Sequence, residues 1–391
     1  MPRRAVVIVL DGVGAGGAPD AAAFGDEGAD TLGHTAERVA GLRVPELARL
    51  GLGNLRALAG VPPAAAPTAS YGTMVERSAA KASLSGHWEI MGLVSPDPLP
   101  TYPAGFPPEL IARFERETGR GVIGNRPASG IQVVDELGAE HERTGRWIVY
   151  TSADSVFQVA AHTGHVPLDD LYAACETAYE MLVGEGRILV ERVIARPFHG
   201  SEGAYVREEE HRHDYGITPP GDTVVDRVAA AGQPATAVGK VWDIFQGRGF
   251  DRHLPGRPDD DAKVDAVLAA LADMDRGLVF ANLVDFDSLY GHRRDPEGMA
   301  ANLERFDARV PELLAALGPD DLLAVTADHG NDPTYRGTDH TRERVPLLVR
   351  AGSVPGRDVG ERETFADLGA SVADWLGADA QGLPGRSVLG R

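Results

Sequence analysis

Thr326-Ala327-Asp328-His329-Gly330-Asn331-Asp332 closes an apolar run and is followed by a further imidazole at His340. It reads as the end of a buried strand entering a metal-binding loop, since adjacent Asp and His at a strand's C-terminal end can both turn toward one cation. Working outward, Asp285-Phe286-Asp287 with Gly291-His292 repeats the style upstream, and Asp11 ends the first apolar run, Ala5-Val6-Val7-Ile8-Val9-Leu10. Carboxylates and imidazoles gathered at several strand ends are what a two-metal site requires.

The spacing between these clusters predicts alternating helices and strands. Helices are expected over 30–39, 223–231, 261–274, 297–317 and 365–375. Strands are expected over 235–238, 277–283, 322–325 and 345–349. Such alternation implies α/β architecture with a mainly parallel sheet sandwiched by helices. In such sheets, sites form at the carboxyl ends of strands, which is where Asp11, Asp285, Asp287 and Asp328 fall. Two proline-dense connectors, Ser95-Pro96-Asp97-Pro98-Leu99-Pro100 and Ile217-Thr218-Pro219-Pro220, interrupt the alternation. They bracket a segment with helix and strand signals of its own, an inserted α+β domain. The division is residues 1–96 and 219–391 for the core and 97–218 for the insertion.

The chain has 391 residues, 43% hydrophobic and 25% charged, which places it among ordinary globular proteins too long for one small core. No apolar run approaches the roughly 20 residues of a membrane span, and the opening run is short for a secretory signal. The single cysteine, Cys175, excludes an intrachain disulfide, so a cytoplasmic location is expected. A formal net charge of -20 argues against nucleic acid as partner. A phosphate ligand would then need metals and a few placed cations to reverse the sign locally. Arginine carries most of the positive charge. The lysines, Lys81, Lys240 and Lys263, stand out, and Lys81 and Lys240 lie in motif-like segments where a compact point charge would suit a phosphate.

Asp11, Asp287, His292, Asp328, His329 and His340 divide into two three-ligand sets, Asp287/His292/His340 and Asp11/Asp328/His329. Each leaves room for a shared oxygen. Any one of these residues alone has a plain reading, such as a helix cap for Asp11 or a surface histidine for His340; their joint occurrence favours metal. The oxygen and nitrogen donors admit Mn²⁺ or Zn²⁺, and the lack of thiolates disfavours a structural zinc. A nucleophilic hydroxyl is available in Lys81-Ala82-Ser83-Leu84-Ser85-Gly86-His87-Trp88-Glu89. Spacing alone does not separate Ser83 from Ser85.

These strings resemble a known family. Asp11-Gly-Val-Gly, the run Ser85 to Gly92, Asn282 to His292, Ala327 to Pro333 and Thr338 to Leu348 are similar to the phosphopentomutases of the alkaline phosphatase superfamily. The resemblance covers nearly the whole chain. It implies an alkaline-phosphatase-like core, a smaller cap on two hinges that closes over the site, and transfer of phosphate between C5 and C1 of ribose or deoxyribose. The intermediates it implies are a phosphorylated hydroxyl and a pentose 1,5-bisphosphate. It implies two Mn²⁺ ions on the six ligands, selects Asp287 over Asp285, and admits a hexose 1,6-bisphosphate as primer. The family's phosphate-accepting Thr is replaced here by Ser83, and the acid before it by Ala82. Ser152, Asp154, Val156, Arg192, Ile194, and Arg207 or Arg212 match the pentose-phosphate contacts, with Lys240 from the core. The alternatives are a phosphomonoesterase or phosphoglycerate mutase of the same superfamily, or a non-catalytic sugar-phosphate binder prompted by Ala82.

Overall fold

Ala5 to Leu10 are all buried, which a strand achieves only when both of its faces are covered. The computed structural model describes residues 3–152, 155–184, 188–352 and 354–390. Its strands are β1 (Arg4–Leu10), β2 (Ser70–Met74), β3 (Val122–Pro127), β4 (Trp147–Thr151), β5 (Val156–His162), β6 (Arg192–His199), β7 (Val206–Arg207), β8 (His213–Gly216), β9 (Ala235–Val238), β10 (Arg252–Leu254), β11 (Gly277–Leu283), β12 (Leu322–Thr326), β13 (Val345–Ala351) and β14 (Asp358–Arg362). The chain divides into two compact units, Met1–Asp97 with Thr218–Arg391, and Pro98–Ile217.

The first unit is built on an eight-stranded sheet in the order β10-β9-β11-β1-β12-β13-β2-β14. From β10 to β12 every neighbouring pair is parallel, and β13 is antiparallel to both β12 and β2. Val9 pairs with Asn282 on one side and Thr326 on the other, so the three central strands end together at one edge. Every residue of β11 and β12 is buried, so helices cover both faces. One group comprises Thr31–Arg38, Pro45–Leu50, Asp260–Asp273 and Pro296–Ala316; the other comprises Ser83–Ile90, Val224–Ala230, Val241–Phe245 and Ala366–Leu376. Their starts follow local chemistry. Asp30, Asp259 and Asp295 each accept a backbone N–H from the first turn of the helix that follows, and Thr223 with Asp226 forms a reciprocal capping box.

The second unit has the sheet β3-β4-β5-β6-β7, with β8 also on β6. Phe114, Trp147, Phe157, Leu171 and Val193 pack on one face, and Val133, Val134, Ile148, Tyr150 and Phe198 on the other. The second cluster rests on helix Gly130–Thr144. Among the described residues, no helix is long and apolar enough to cross a membrane.

The helix Ser83–Ile90 meets the end of β12 at Gly86. A Cβ there would stand 2.1 Å from the Asp328 carbonyl oxygen, a contact that backbone cannot relieve. Gly86→Ala is therefore expected to destabilise the first unit by about 2–3 kcal/mol. A calorimetric unfolding midpoint unchanged from the parent would show that this approach is not tight.

Candidate metal centre

Three carboxylates converge at the edge where β1, β11 and β12 end. Asp11 and Asp328 are fully buried and Asp287 nearly so. Asp11 follows β1 directly. Asp328 lies two residues beyond β12. Asp287 is carried by the wide π-helical turn Phe286–Gly291 after β11. Each is gripped by a neutral donor: Asn282 Nδ2 to Asp11 Oδ2 at 2.9 Å, Gly12 N to Asp328 Oδ1 at 3.1 Å, and Asn331 Nδ2 to Asp287 Oδ1 at 2.7 Å. Asp285 stands apart. It exchanges hydrogen bonds with the backbone and side chain of Asp260, with Lys263 Nζ 3.9 Å away.

Three imidazoles complete the cluster, and all are oriented alike. Nδ1 of His292, His329 and His340 faces the backbone carbonyls of Thr338, Gly330 and Lys81 at 2.7, 3.1 and 2.8 Å. A carbonyl can only accept, so Nδ1 carries the hydrogen and Nε2 is left for the cluster. His329 Nε2 lies 3.4 Å from Asp11 Oδ1 and from Asp328 Oδ2. His292 Nε2 lies 3.2 Å from Asp287 Oδ2 and from His340 Nε2, and His340 Nε2 lies 3.4 Å from Asp287 Oδ1.

Charge explains the pKa values. Burial pushes the His329 imidazole down, but the neighbouring Asp328 and Asp11 carboxylates outweigh it and raise it to about 10. Burial likewise raises Asp287 and Asp328. The His292 and His340 hydrogen bonds override it at Asp287, and the His329 charge overrides it at Asp328, holding both well below the usual carboxylate range.

The donor set fits divalent cations. The ligand atoms of Asp287, His329 and His340, and those of Asp11, Asp328 and His329, lie within 4.8 Å of one another in each group. His329 belongs to both, so the two positions adjoin. These groups differ from the expected division in that His329 appears in both and His292 in neither. His292 joins the first through its contacts with Asp287 and His340. Asp328 Oδ2 is buried with no hydrogen bond of acceptable geometry, although His87 Nδ1 and His329 Nε2 lie 3.1 and 3.4 Å away. A carboxylate oxygen left so, beside inward imidazole nitrogens, suits coordination.

The two serines part company here. Ser83 opens its helix, with Oγ 3.2 Å from His329 Nε2, 3.5 Å from Asp11 Oδ1 and 2.9 Å from Lys240 Nζ. Lys240 Nζ also lies 3.4 Å from Asp11 Oδ2. Ser85 Oγ instead donates to Glu76 Oε1 or to the Ala82 carbonyl. Ala82 makes no side-chain cap bond. The Lys81 ammonium pairs with Asp26 and Asp339, and its carbonyl faces His340 Nδ1.

In the second unit, Val156 pairs with Arg192 where β5 and β6 begin, with Ile194 two residues on and Ser152 just past β4. Arg192 reaches Glu191 at 2.6 Å and Asp214 at 3.6 Å. Arg207 on β7 pairs with Glu209 at 2.9 Å, and Arg212 with Asp214 at 2.6 Å. Asp154 lies outside the described residues. Reasoning from sequence missed Asn282 and Asn331 as carboxylate holders. A neutral amide carries no periodicity or charge signal, and only their places in motifs marked Asn282 and Asn331.

The sequence pattern of the metalloenzyme superfamily matches residues 3–380. The phosphopentomutase of Anaeromyxobacter dehalogenans (strain 2CP-C) is 54% identical over 382 residues, covering 97% of this chain and 96% of its own. That of Kosmotoga olearia is 50% identical over 377 residues, covering 96% of each. Among solved structures, Leishmania mexicana phosphoglycerate mutase shares the fold, with a TM-score of 0.50, 13% identity, and coverage of 99% of this chain and 97% of that one. With full-length likeness at this level, the chain belongs to the phosphopentomutases, within the metalloenzyme superfamily.

Proposed function

We propose that this chain interconverts ribose or deoxyribose 1-phosphate and 5-phosphate through a phosphoserine at Ser83. One observation carries the reading: Ser83 Oγ stands at a helix start between His329, Asp11 and Lys240, in a chain whose relatives are phosphopentomutases. Divalent ions, Mn²⁺ in this proposal, would be held by Asp11, Asp328 and His329 and by Asp287, His292 and His340. When bound they supply positive charge for a phosphoryl group and lower the pKa of a hydroxyl.

The protein's own residues do the rest. From phosphorylated Ser83 the phosphoryl group passes to the free hydroxyl of a pentose monophosphate: the bond to the sugar oxygen forms as the bond to Ser83 Oγ breaks, and the hydroxyl proton moves to Ser83 Oγ. Lys240 Nζ, already on Ser83 Oγ, stabilises the charge gathering on the phosphoryl oxygens. The first-turn N–H groups of Ser83–Ile90 face no capping side chain from Ala82 and favour an anion. Ser83 Oγ then takes the other phosphoryl group of the resulting pentose 1,5-bisphosphate, its proton passing to the sugar oxygen released, which leaves the product monophosphate and phosphorylated Ser83. Loss of the phosphoseryl group to water would strand the free enzyme, which is why a hexose 1,6-bisphosphate is proposed as primer. Arg192, Arg207 and Arg212 suit the far phosphate. Ser152 and Asp154 suit sugar hydroxyls, and Val156 and Ile194 offer apolar surface.

Ser83→Ala is expected to lower turnover of ribose 1-phosphate by at least about 10⁴-fold while still binding metal. Ser85→Ala should leave Ser83 in place and retain most activity. The reverse pattern would move the nucleophile to Ser85. The product should be ribose 5-phosphate with little inorganic phosphate; free phosphate as main product would make the protein a hydrolase. Elemental analysis after Mn²⁺ loading should give two ions per chain, and a ratio near one would defeat the paired site.

A further inference from the structure

His87 and Asn282 belong to neither the ligand set nor the substrate contacts assigned above, yet both are fully buried at the heart of the cluster. Asn282 Nδ2 lies 2.9 Å from Asp11 Oδ2 and 3.0 Å from His87 Nε2. The opposite carboxamide orientation would set Oδ1 against the Asp11 carboxylate, so the NH₂ group faces both and spends one hydrogen on each. His87 Nε2 must then accept, which places the imidazole hydrogen on Nδ1. Nδ1 lies 2.8 Å from the Ser83 carbonyl and 3.1 Å from Asp328 Oδ2. Asp328 Oδ2 receives no well-formed hydrogen bond, so the N–H goes to the Ser83 carbonyl.

The result is an unbroken chain: Asp11 carboxylate, Asn282 amide, His87 imidazole, Ser83 backbone. Asn282 Oδ1 is buried with no partner. A side chain present only to fill space would not carry that cost; leucine would pack there without it. The amide is retained for its two hydrogens.

We propose that Asn282 and His87 are positioning residues that lock the Ser83 backbone in register with Asp11 and Asp328. The inference rests on the reading of Ser83 as phosphate acceptor. The locked tautomer matters because the opposite one would present two hydrogens across the 3.0 Å contact with Asn282 and none to Ser83. A shift of the Ser83 hydroxyl by about 1 Å is enough to cost on the order of 100-fold in rate. The device acts on alignment and not on substrate affinity, so it should appear in kcat and spare KM.

The test uses the full-length protein and the geometric difference between two amides. In His87→Asn the side-chain nitrogen falls near Nδ1 and can still reach the Ser83 carbonyl. In His87→Gln it falls near Nε2 and cannot. His87→Gln should lower kcat for ribose 1-phosphate about 100-fold with KM little changed, and His87→Asn should recover about tenfold of that loss. On metal-stripped protein, Asn282→Leu should weaken calorimetric Mn²⁺ binding at one of two sites about tenfold or more without lowering the unfolding midpoint. Equal kcat for the two His87 variants would overturn the proposal. If neither His87 variant folds, unchanged Mn²⁺ affinity in Asn282→Leu overturns it instead. Ser83→Ala run in parallel separates the two claims. An active Ser83→Ala defeats the acceptor reading itself. An inactive one beside a fully active His87→Gln defeats only the positioning role.

Discussion

Parallel pairing of β1 with β11 and β12 forces buried carboxylates into one another's company. Two unit charges about 4 Å apart interact by about 4 kcal/mol at an effective dielectric of 20, so Asp11, Asp287 and Asp328 cannot share this edge without positive charge. Much around them answers that demand. His329 holds a proton far more tightly than a free imidazole, Lys240 stands beside Asp11 and Ser83, and amides from Asn282, Asn331 and Gly12 point inward. A fold that concentrates negative charge in this way is ready for divalent cations, and those cations equip it for phosphoryl chemistry.

The imidazoles are aimed by main chain. Three carbonyls, from Lys81, Thr338 and Gly330, take the three Nδ1 hydrogens. Main-chain acceptors do not titrate and change little under substitution, so ligand orientation is built into loop geometry. Lys81 illustrates the point. Its ammonium is spent on Asp26 and Asp339, which anchors the segment whose carbonyl orients His340. Glu343 works alongside. Buried and raised to about 7 by desolvation, it accepts from Gly16 N, Thr31 N and the hydroxyls of Thr31 and Thr341, tying together loops on either side of the centre.

Much of this was legible in the chain. Asp11, Asp287, Asp328, His329 and His340 stand out because a strand's apolar run is readable and the polar residue that ends it is conspicuous. The core helices and strands that were expected fall within one or two residues of their ranges, but β2, β10, β14 and the helices Pro45–Leu50 and Val241–Phe245 carried no such signal. Less was legible in the inserted unit. Helix Gly130–Thr144 begins with glycine and has Gly138 inside it, which masks the apolar stripe of Val133, Val134 and Leu137. The antiparallel turn of β13 and β2 was also unreadable, since strand direction is decided by pairing partners far apart in the chain.

The sequence by itself determined the αβ alternation, the inserted segment and the residue types at the strand ends, because periodicity, turn chemistry and residue character are local properties. Only the tertiary structure set Ser83 Oγ beside His329 and Lys240 and Ser85 Oγ beside Glu76, paired the Lys81 ammonium with Asp26 and Asp339, and brought Asn282 and His87 between Asp11 and Ser83. Those outcomes depend on which side chains meet across the register of separate strands and on which ring nitrogen carries a hydrogen. Neither is written in any short stretch of residues.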